Sequence, residues 1–189
     1  MMPTIAELEK AKYEKIWAVP EYNDFSPGES FAKVFGELAS PEKGESVLDI
    51  GCGMGKGGLA LQEMYGVDPS FVDHVRVLPE ELHGRFYQQP LWKPLPLRNP
   101  RYAYGFCCDV MEHLPQEYVM LVLENIRAAC GHVFFSIANV GDGFGKGVAE
   151  ELHLTIQPFE WWTERLRDMG EILHARDCYG QSLYYVRCR

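Results

Sequence analysis

Val47-Leu48-Asp49-Ile50-Gly51-Cys52-Gly53-Met54-Gly55-Lys56-Gly57-Gly58 is the stretch that decides how this chain folds. A short apolar, strand-like run enters a loop in which five of the eight residues from Gly51 to Gly58 are glycine. Leu59-Ala60-Leu61-Gln62-Glu63-Met64 then reads as helix. Strand, glycine turn and helix are how an open α/β sheet brings backbone N–H groups close to a ligand. Glycine suits such a turn because a side chain would block the approach and because the backbone there often visits positive φ. Asp49 ends the strand, where its carboxylate can meet a cation or an ammonium group.

Three ligand classes use such a turn. A phosphate-cradling loop needs G-x-x-x-x-G-K-[ST], but Gly55-Lys56 is followed by Gly57, and Ile50 stands five residues before Gly55. A dinucleotide fingerprint can be traced from Gly53 to Gly58, although a glycine-rich run matches it easily. A third pattern, two hydrophobic residues followed by D-x-G-x-G-x-G, fits Val47 to Gly55 without a gap. It resembles motif I of the class I S-adenosylmethionine-dependent methyltransferases. The resemblance implies that Gly51, Cys52, Gly53 and Gly55 border the methionine moiety of the cofactor and that Asp49 helps hold its amino group. S-Adenosylhomocysteine would be the product.

Two further stretches support the resemblance. An acid at the end of the second strand, about 20 residues past the glycine turn, should bind the ribose hydroxyls. Asp68 and Asp73 are the candidates. Asp73 closes the strand-like Ser70-Phe71-Val72 and is preferred, with His74 beside it, whereas Asp68 precedes a proline and reads as turn chemistry. The second stretch runs from Tyr104 to Pro115 and resembles the family's fourth strand and its D-V-x-E-H-x-P turn, common in members acting on small molecules. This places Asp109, Val110, Met111 and His113 along the cofactor. Many members carry an acid for the adenine amino group after the third strand. Here Gln89 or Pro90 takes that position, and Leu91 and Trp92 are expected to flank the ring.

The expected fold is therefore a doubly wound α/β domain: a mainly parallel, seven-stranded sheet with helices on both faces, in the Rossmann-like methyltransferase manner. Residues 45–189 supply the sheet and residues 1–40 supply helices covering the cleft, all in one domain. Thr4 and Glu7 form a capping box for a charged helix to about Trp17, stopped by Pro20. Its apolar side is Ile5, Leu8, Ile16 and Trp17, interrupted by Lys12. Glu21 to Ser26 read as a loop. Ser26-Pro27-Gly28-Glu29 opens a second helix, whose Phe31, Val34, Phe35 and Leu38 share one face. Tyr13, Trp17, Tyr22 and Phe25 either form a lid or belong to the core. Residues 74–82 lead into a short helix and 85–89 into a third strand. A helix from Gln116 to Ala129 should end at Gly131, a fifth strand should span His132 to Ile137, and a helix from Pro158 should precede two closing antiparallel strands.

Composition narrows the function. With 18 basic and 27 acidic residues the formal charge is −9, which disfavours a long nucleic-acid footprint. No apolar run approaches the roughly 18 residues of a membrane span, and Met1-Met2-Pro3-Thr4, leading directly into a charged helix, is not expected to be a signal peptide. A soluble, cytoplasmic protein is expected. The six cysteines form no C-x-x-C pair and read as structural thiols.

Methyl transfer from a sulfonium rests on alignment and exclusion of water, with a general base needed only for a weak nucleophile such as a hydroxyl. The chain lacks [DNS]-P-P-[FYW] after the fourth strand and has no cysteine following a proline there, so both DNA-base readings weaken. A small or medium-sized acceptor (metabolite, sugar or lipid intermediate) is expected. The alternatives are a nucleic-acid- or protein-directed enzyme, a non-catalytic cofactor binder and, more remotely, an NAD-dependent dehydrogenase. Gly141 to Gly147 form a second glycine-rich loop after the fifth strand, at the edge where open sheets bind ligands. With the first helix it is expected to form a lid, leaving Glu150 and His153 in the acceptor pocket as catalytic residues. His153 either takes a proton with Glu150, joins His113 in a metal site, or packs against the helix carrying Trp161 and Trp162. No metal is assigned from the sequence.

Overall fold

The computed structural model describes residues 3–23, 26–96, 98, 100–142 and 150–189. Seven strands form one sheet: β1 (Ser46–Ile50), β2 (Asp68–Asp73), β3 (Phe86–Gln88), β4 (Tyr102–Cys108), β5 (Cys130–Ala138), β6 (Gly170–Cys178) and β7 (Gln181–Cys188), in the spatial order β3-β2-β1-β4-β5-β7-β6. The first five are parallel, while β7 runs antiparallel to both β5 and β6. The chain leaves β1 toward β2 on one side and later returns to β4 on the other. The crevice beyond the carboxyl ends of β1 and β4 is thus the switch point where such sheets bind ligands.

Side-chain alternation explains why both faces are covered. Phe106 and Phe134 stack at 5.6 Å on one face, under α3 (Pro27–Ala39) and α4 (Lys56–Tyr65), with Phe35 edge-on to both. Their neighbours Cys107 and Phe135 point the other way, into the cluster beneath α5 (Val119–Ala129) and the helix Phe159–Met169, here α6, which contributes Trp162, Leu166 and Met169. Among the described residues no helix is long and apolar enough to cross a membrane. All six cysteines are free thiols.

Several local expectations are corrected. Helix α1 (Ile5–Trp17) has the expected capping box, but Ile5 and Leu8 are exposed while Lys12 is buried. Lys12 is held by Glu9 one turn away on the same helix and by the Glu151 carbonyl, so a local ion pair and a tertiary hydrogen bond together override the hydropathy pattern. The helix ends at Trp17 ahead of Pro20 as expected, but Glu21 to Asn23, read as loop, belong to a one-turn helix α2 (Pro20–Asn23) that proline opens at its first position. Asp68 is no turn residue: it opens β2, where Arg85 and Arg98 pair with it. Residues Glu80–Arg85 form a 3-10 turn and no α-helix, and Gln116–Tyr118 do the same ahead of α5. Gly131 lies inside β5, which begins at Cys130 directly after α5, so the helix needs no glycine cap.

Candidate functional site

The turn after β1 shows why it is built of glycine. Gly51, Gly53 and Gly55 have φ of 69°, 49° and 77°. A Cβ on Gly51 would lie 2.5 Å from the Val110 side chain, and one on Gly53 would lie 2.6 Å from the Trp17 ring. The first contact brings the β1 and β4 turns together; the second lets α1 lie across the glycines. Asp49, 5% exposed, accepts the Gly58 N–H at 2.8 Å, anchoring its carboxylate to the first turn of α4. Burial pushes its pKa up to about 7, opposed by the Gly58 N–H and reinforced by the charge of Asp73.

Asp73 ends β2 and faces the glycine turn, accepting the Gly53 N–H at 2.9 Å through one oxygen and the Val75 N–H at 3.0 Å through the other. Burial raises its pKa, and these backbone bonds oppose that rise. A carboxylate offers about four lone-pair directions, so both oxygens keep acceptor capacity toward the crevice. Asp68 lies at the opposite end of the same strand.

Two adjoining cavities occupy the crevice and share Trp17, Tyr22, Gly51, Asp109 and His113. The first, about 680 Å³ including its open mouth, is lined by Asp73, His74, Leu91, Trp92 and Val110. Trp92 stands there with Tyr118 stacked on it at 4.8 Å and His74 edge-on at 5.7 Å. The second, about 970 Å³ on the same measure, is lined by Asp49, Cys52, Gly53, Cys108, Asp142 and His153. Met111 lies elsewhere, fully buried in the core under α5, and Gly55 packs against Phe71 and Leu82 beneath the turn. Tyr13, Trp17 and Tyr22 roof the site, so α1 and α2 cover the crevice. Phe25 and Gly143 to Ala149, most of the second glycine loop, lie outside the described residues.

The turn after β4 concentrates ionisable groups. Asp109 adopts φ 59°, a left-handed conformation costly for a residue with a Cβ, and its N–H bonds the Ser136 carbonyl. Its pKa is lowered: burial acts upward, but the hydrogen bond and charge of His113 outweigh it. Glu112 is wholly buried, and its Oε1 accepts the Ala138 N–H at 2.6 Å, tying this turn to the end of β5. Burial first, and then the adjacent Asp109, push its pKa well above the carboxylate range. Tyr13 of α1 bonds His113 Nδ1 at 2.8 Å. His153 is 8% exposed, donates Nδ1–H to the Val140 carbonyl at 2.7 Å and meets the His113 ring at 4.7 Å.

The expected pairing of Glu150 with His153 is not what forms. Glu150 reaches Lys15 of α1 at 3.4 Å, because the segment after β5 runs alongside that helix. The sequence reading missed Glu112, and it named Tyr13 as a lid or core aromatic but not as a partner of His113. Glu112 stood inside the D-V-M-E-H turn, where a second carboxylate three residues after Asp109 was the available signal; no local signal marks the contact of Tyr13 with His113.

A profile of the family described as "Methyltransferase domain" matches residues 27–178, and the chain belongs to that family. Among solved structures, the fold is similar to that of 1,6-didemethyltoxoflavin-N1-methyltransferase from Burkholderia thailandensis, bound to 1,6-didemethyltoxoflavin and S-adenosylhomocysteine. The TM-score is 0.75 at 16% identity over 100% of this chain and 92% of that one. The N-terminal domain of EvdMO1 with S-adenosylhomocysteine bound gives 0.63 at 15%, over 90% and 85%. Phosphoethanolamine N-methyltransferase 2 of Haemonchus contortus gives 0.63 at 20%, over 80% of this chain and 39% of a longer one. No curated protein sequence matches the chain. The protein is a class I S-adenosylmethionine-dependent methyltransferase, with S-adenosylmethionine as its cofactor.

Proposed function

We propose that this enzyme methylates a small or medium-sized acceptor (a metabolite, sugar or lipid intermediate) in the cytoplasm. The observation that carries the reading is the aromatic roof. Tyr13, Trp17 and Tyr22 close the crevice into cavities of small-molecule size, where a nucleic-acid strand or a protein segment needs an open groove. The net charge of −9 fits the same reading, as does a structural neighbour holding a small heterocycle beside S-adenosylhomocysteine. Six unpaired thiols fit a reducing compartment.

The residues present fit the cofactor. The glycine turn has room only for bare backbone, Asp49 offers a buried carboxylate for its ammonium group, and Asp73 keeps acceptor capacity for the ribose hydroxyls. His74, Leu91 and Trp92 form the mostly apolar wall for adenine, while Cys52, Asp109, Val110 and His113 complete the lining. When bound, the cofactor supplies an electrophilic methyl group. The chain's part is to align the acceptor, exclude water beneath the roof and manage the acceptor's proton at the His153 end. The basic atom there is His153 Nε2, since Nδ1 is committed to Val140. Residues 1–40 act as the cover of a single domain.

The test is methyl transfer from isotopically labelled S-adenosylmethionine to fractionated cell extract. Label is expected in the small-molecule fraction; label confined to RNA, DNA or protein would overturn the reading. Trp17→Ala should weaken S-adenosylhomocysteine binding about 3–10-fold, the loss of one partly buried aromatic contact, measured by calorimetry.

Asp49 gives a pH prediction. Its folded pKa of about 7 stands above the unfolded value of 3.8. Between these values the folded apo protein holds a proton that the unfolded chain has lost, so this group's contribution to stability declines as pH rises through the window. An ammonium group bound against Asp49 favours the ionised form. Binding of S-adenosylhomocysteine at pH 6 should therefore release a proton, and affinity should rise with pH and level off above about 7. Calorimetry at pH 6 in buffers of different ionisation enthalpy measures the proton count; a count of zero would remove Asp49 from the ammonium site.

A further inference from the structure

One ligand atom from each of Asp109, Glu112, His113 and His153 can be chosen so that all four lie within 4.8 Å of one another. Donors sharing a first-row ion at about 2.0–2.2 Å stand roughly 3–4 Å apart, so the widest-spaced donors need to close by about 1 Å to share one ion. Three members come from a single turn after β4, and the fourth comes from the segment after β5. The rings are already oriented as metal-ligating histidines are. His153 gives Nδ1–H to the Val140 carbonyl and His113 Nδ1 is engaged by the Tyr13 hydroxyl, leaving Nε2 of each turned to the cluster. Glu112 provides the independent sign. It is fully buried, Oε1 is satisfied by Ala138, and Oε2 receives no N–H or O–H from a described residue. A buried carboxyl oxygen beside a second carboxylate is a costly arrangement that a dication would relieve.

We propose that these four residues bind one divalent first-row transition ion of the manganese-to-zinc series, and that the ion holds a hydroxyl oxygen of the methyl acceptor. Two imidazoles with two carboxylates and no thiolate suit that series better than magnesium or calcium, which take oxygen donors. The site lies on the wall of the larger cavity, shared with Asp49, Gly51 and Gly53 of the cofactor turn, so an oxygen held there faces the reacting methyl group. The role rests on the small-acceptor reading above and narrows it to hydroxyl-bearing acceptors. On the ion the hydroxyl loses its proton to solvent. Its oxygen forms the new O–CH3 bond as the methyl–sulfur bond breaks, and the sulfonium leaves as a neutral thioether.

Cobalt(II) alone tests the site. Chelator-stripped protein titrated with Co2+ should develop visible d–d absorption saturating at one equivalent. His153→Ala and Asp109→Asn should each weaken binding at least about tenfold. Glu112→Gln, which keeps an oxygen for the Ala138 N–H, should weaken it also, while His174→Ala on β6 should leave it unchanged. No saturable signal from folded wild-type protein, or a signal insensitive to His153→Ala and Asp109→Asn, would overturn the proposal. S-Adenosylhomocysteine binding, measured on stripped and loaded protein, separates the two readings. Binding without metal keeps the methyltransferase site standing whatever cobalt does, and its absence in both states would count against that site instead.

Discussion

Replacing His153 by alanine should lower turnover roughly 100-fold or more while leaving S-adenosylhomocysteine affinity within about threefold. The split follows from position. His153 lines the larger cavity but not the one that holds Asp73, Leu91 and Trp92, so the cofactor keeps its partners. What is lost is the basic Nε2 at the acceptor end, whether it takes the acceptor's proton itself or ligates the cation that replaces a base. His153 also joins two segments through Val140, so the variant's thermal midpoint must be measured alongside its kinetics with the acceptor found by labelling. A lower midpoint with normal turnover would make His153 a structural residue and remove it from the acceptor pocket.

Asp73→Ala should weaken cofactor binding by about 1–3 kcal/mol, the scale of losing charge-assisted hydrogen bonds, or roughly 5–150-fold in Kd. Two losses act together. The ribose hydroxyls lose their acceptor, and the Gly53 N–H, held at 2.9 Å, is released, which loosens the glycine turn. Asp68→Ala should change Kd little, because Asp68 lies at the other end of β2 among Arg85 and Arg98. Calorimetric titration of both variants with S-adenosylhomocysteine checks the pair. The reverse ranking would place the ribose at the wrong end of the strand.

The sequence by itself determined the turn, the strand ends and the family. Those signals are local: glycines where a Cβ would collide, an acid closing each of two strands, and apolar alternation matching a sheet covered on both faces. Asp49, Asp73, Leu91, Trp92, Asp109 and Val110 could be placed at the crevice because parallel strands deliver their carboxyl ends to one edge. Tertiary structure alone decided what meets across the site. Lys12 is buried because the Glu151 carbonyl adds to its local pairing with Glu9, and Glu150 is drawn to Lys15, leaving His153 to a backbone carbonyl. Tyr13 reaches His113 across 100 residues of sequence. The Asp109–Glu112–His113–His153 cluster likewise joins a turn after β4 to a segment after β5. Such contacts depend on how α1 and the segment after β5 pack over the sheet edge, and neither periodicity nor spacing along the chain encodes a distance between separate elements.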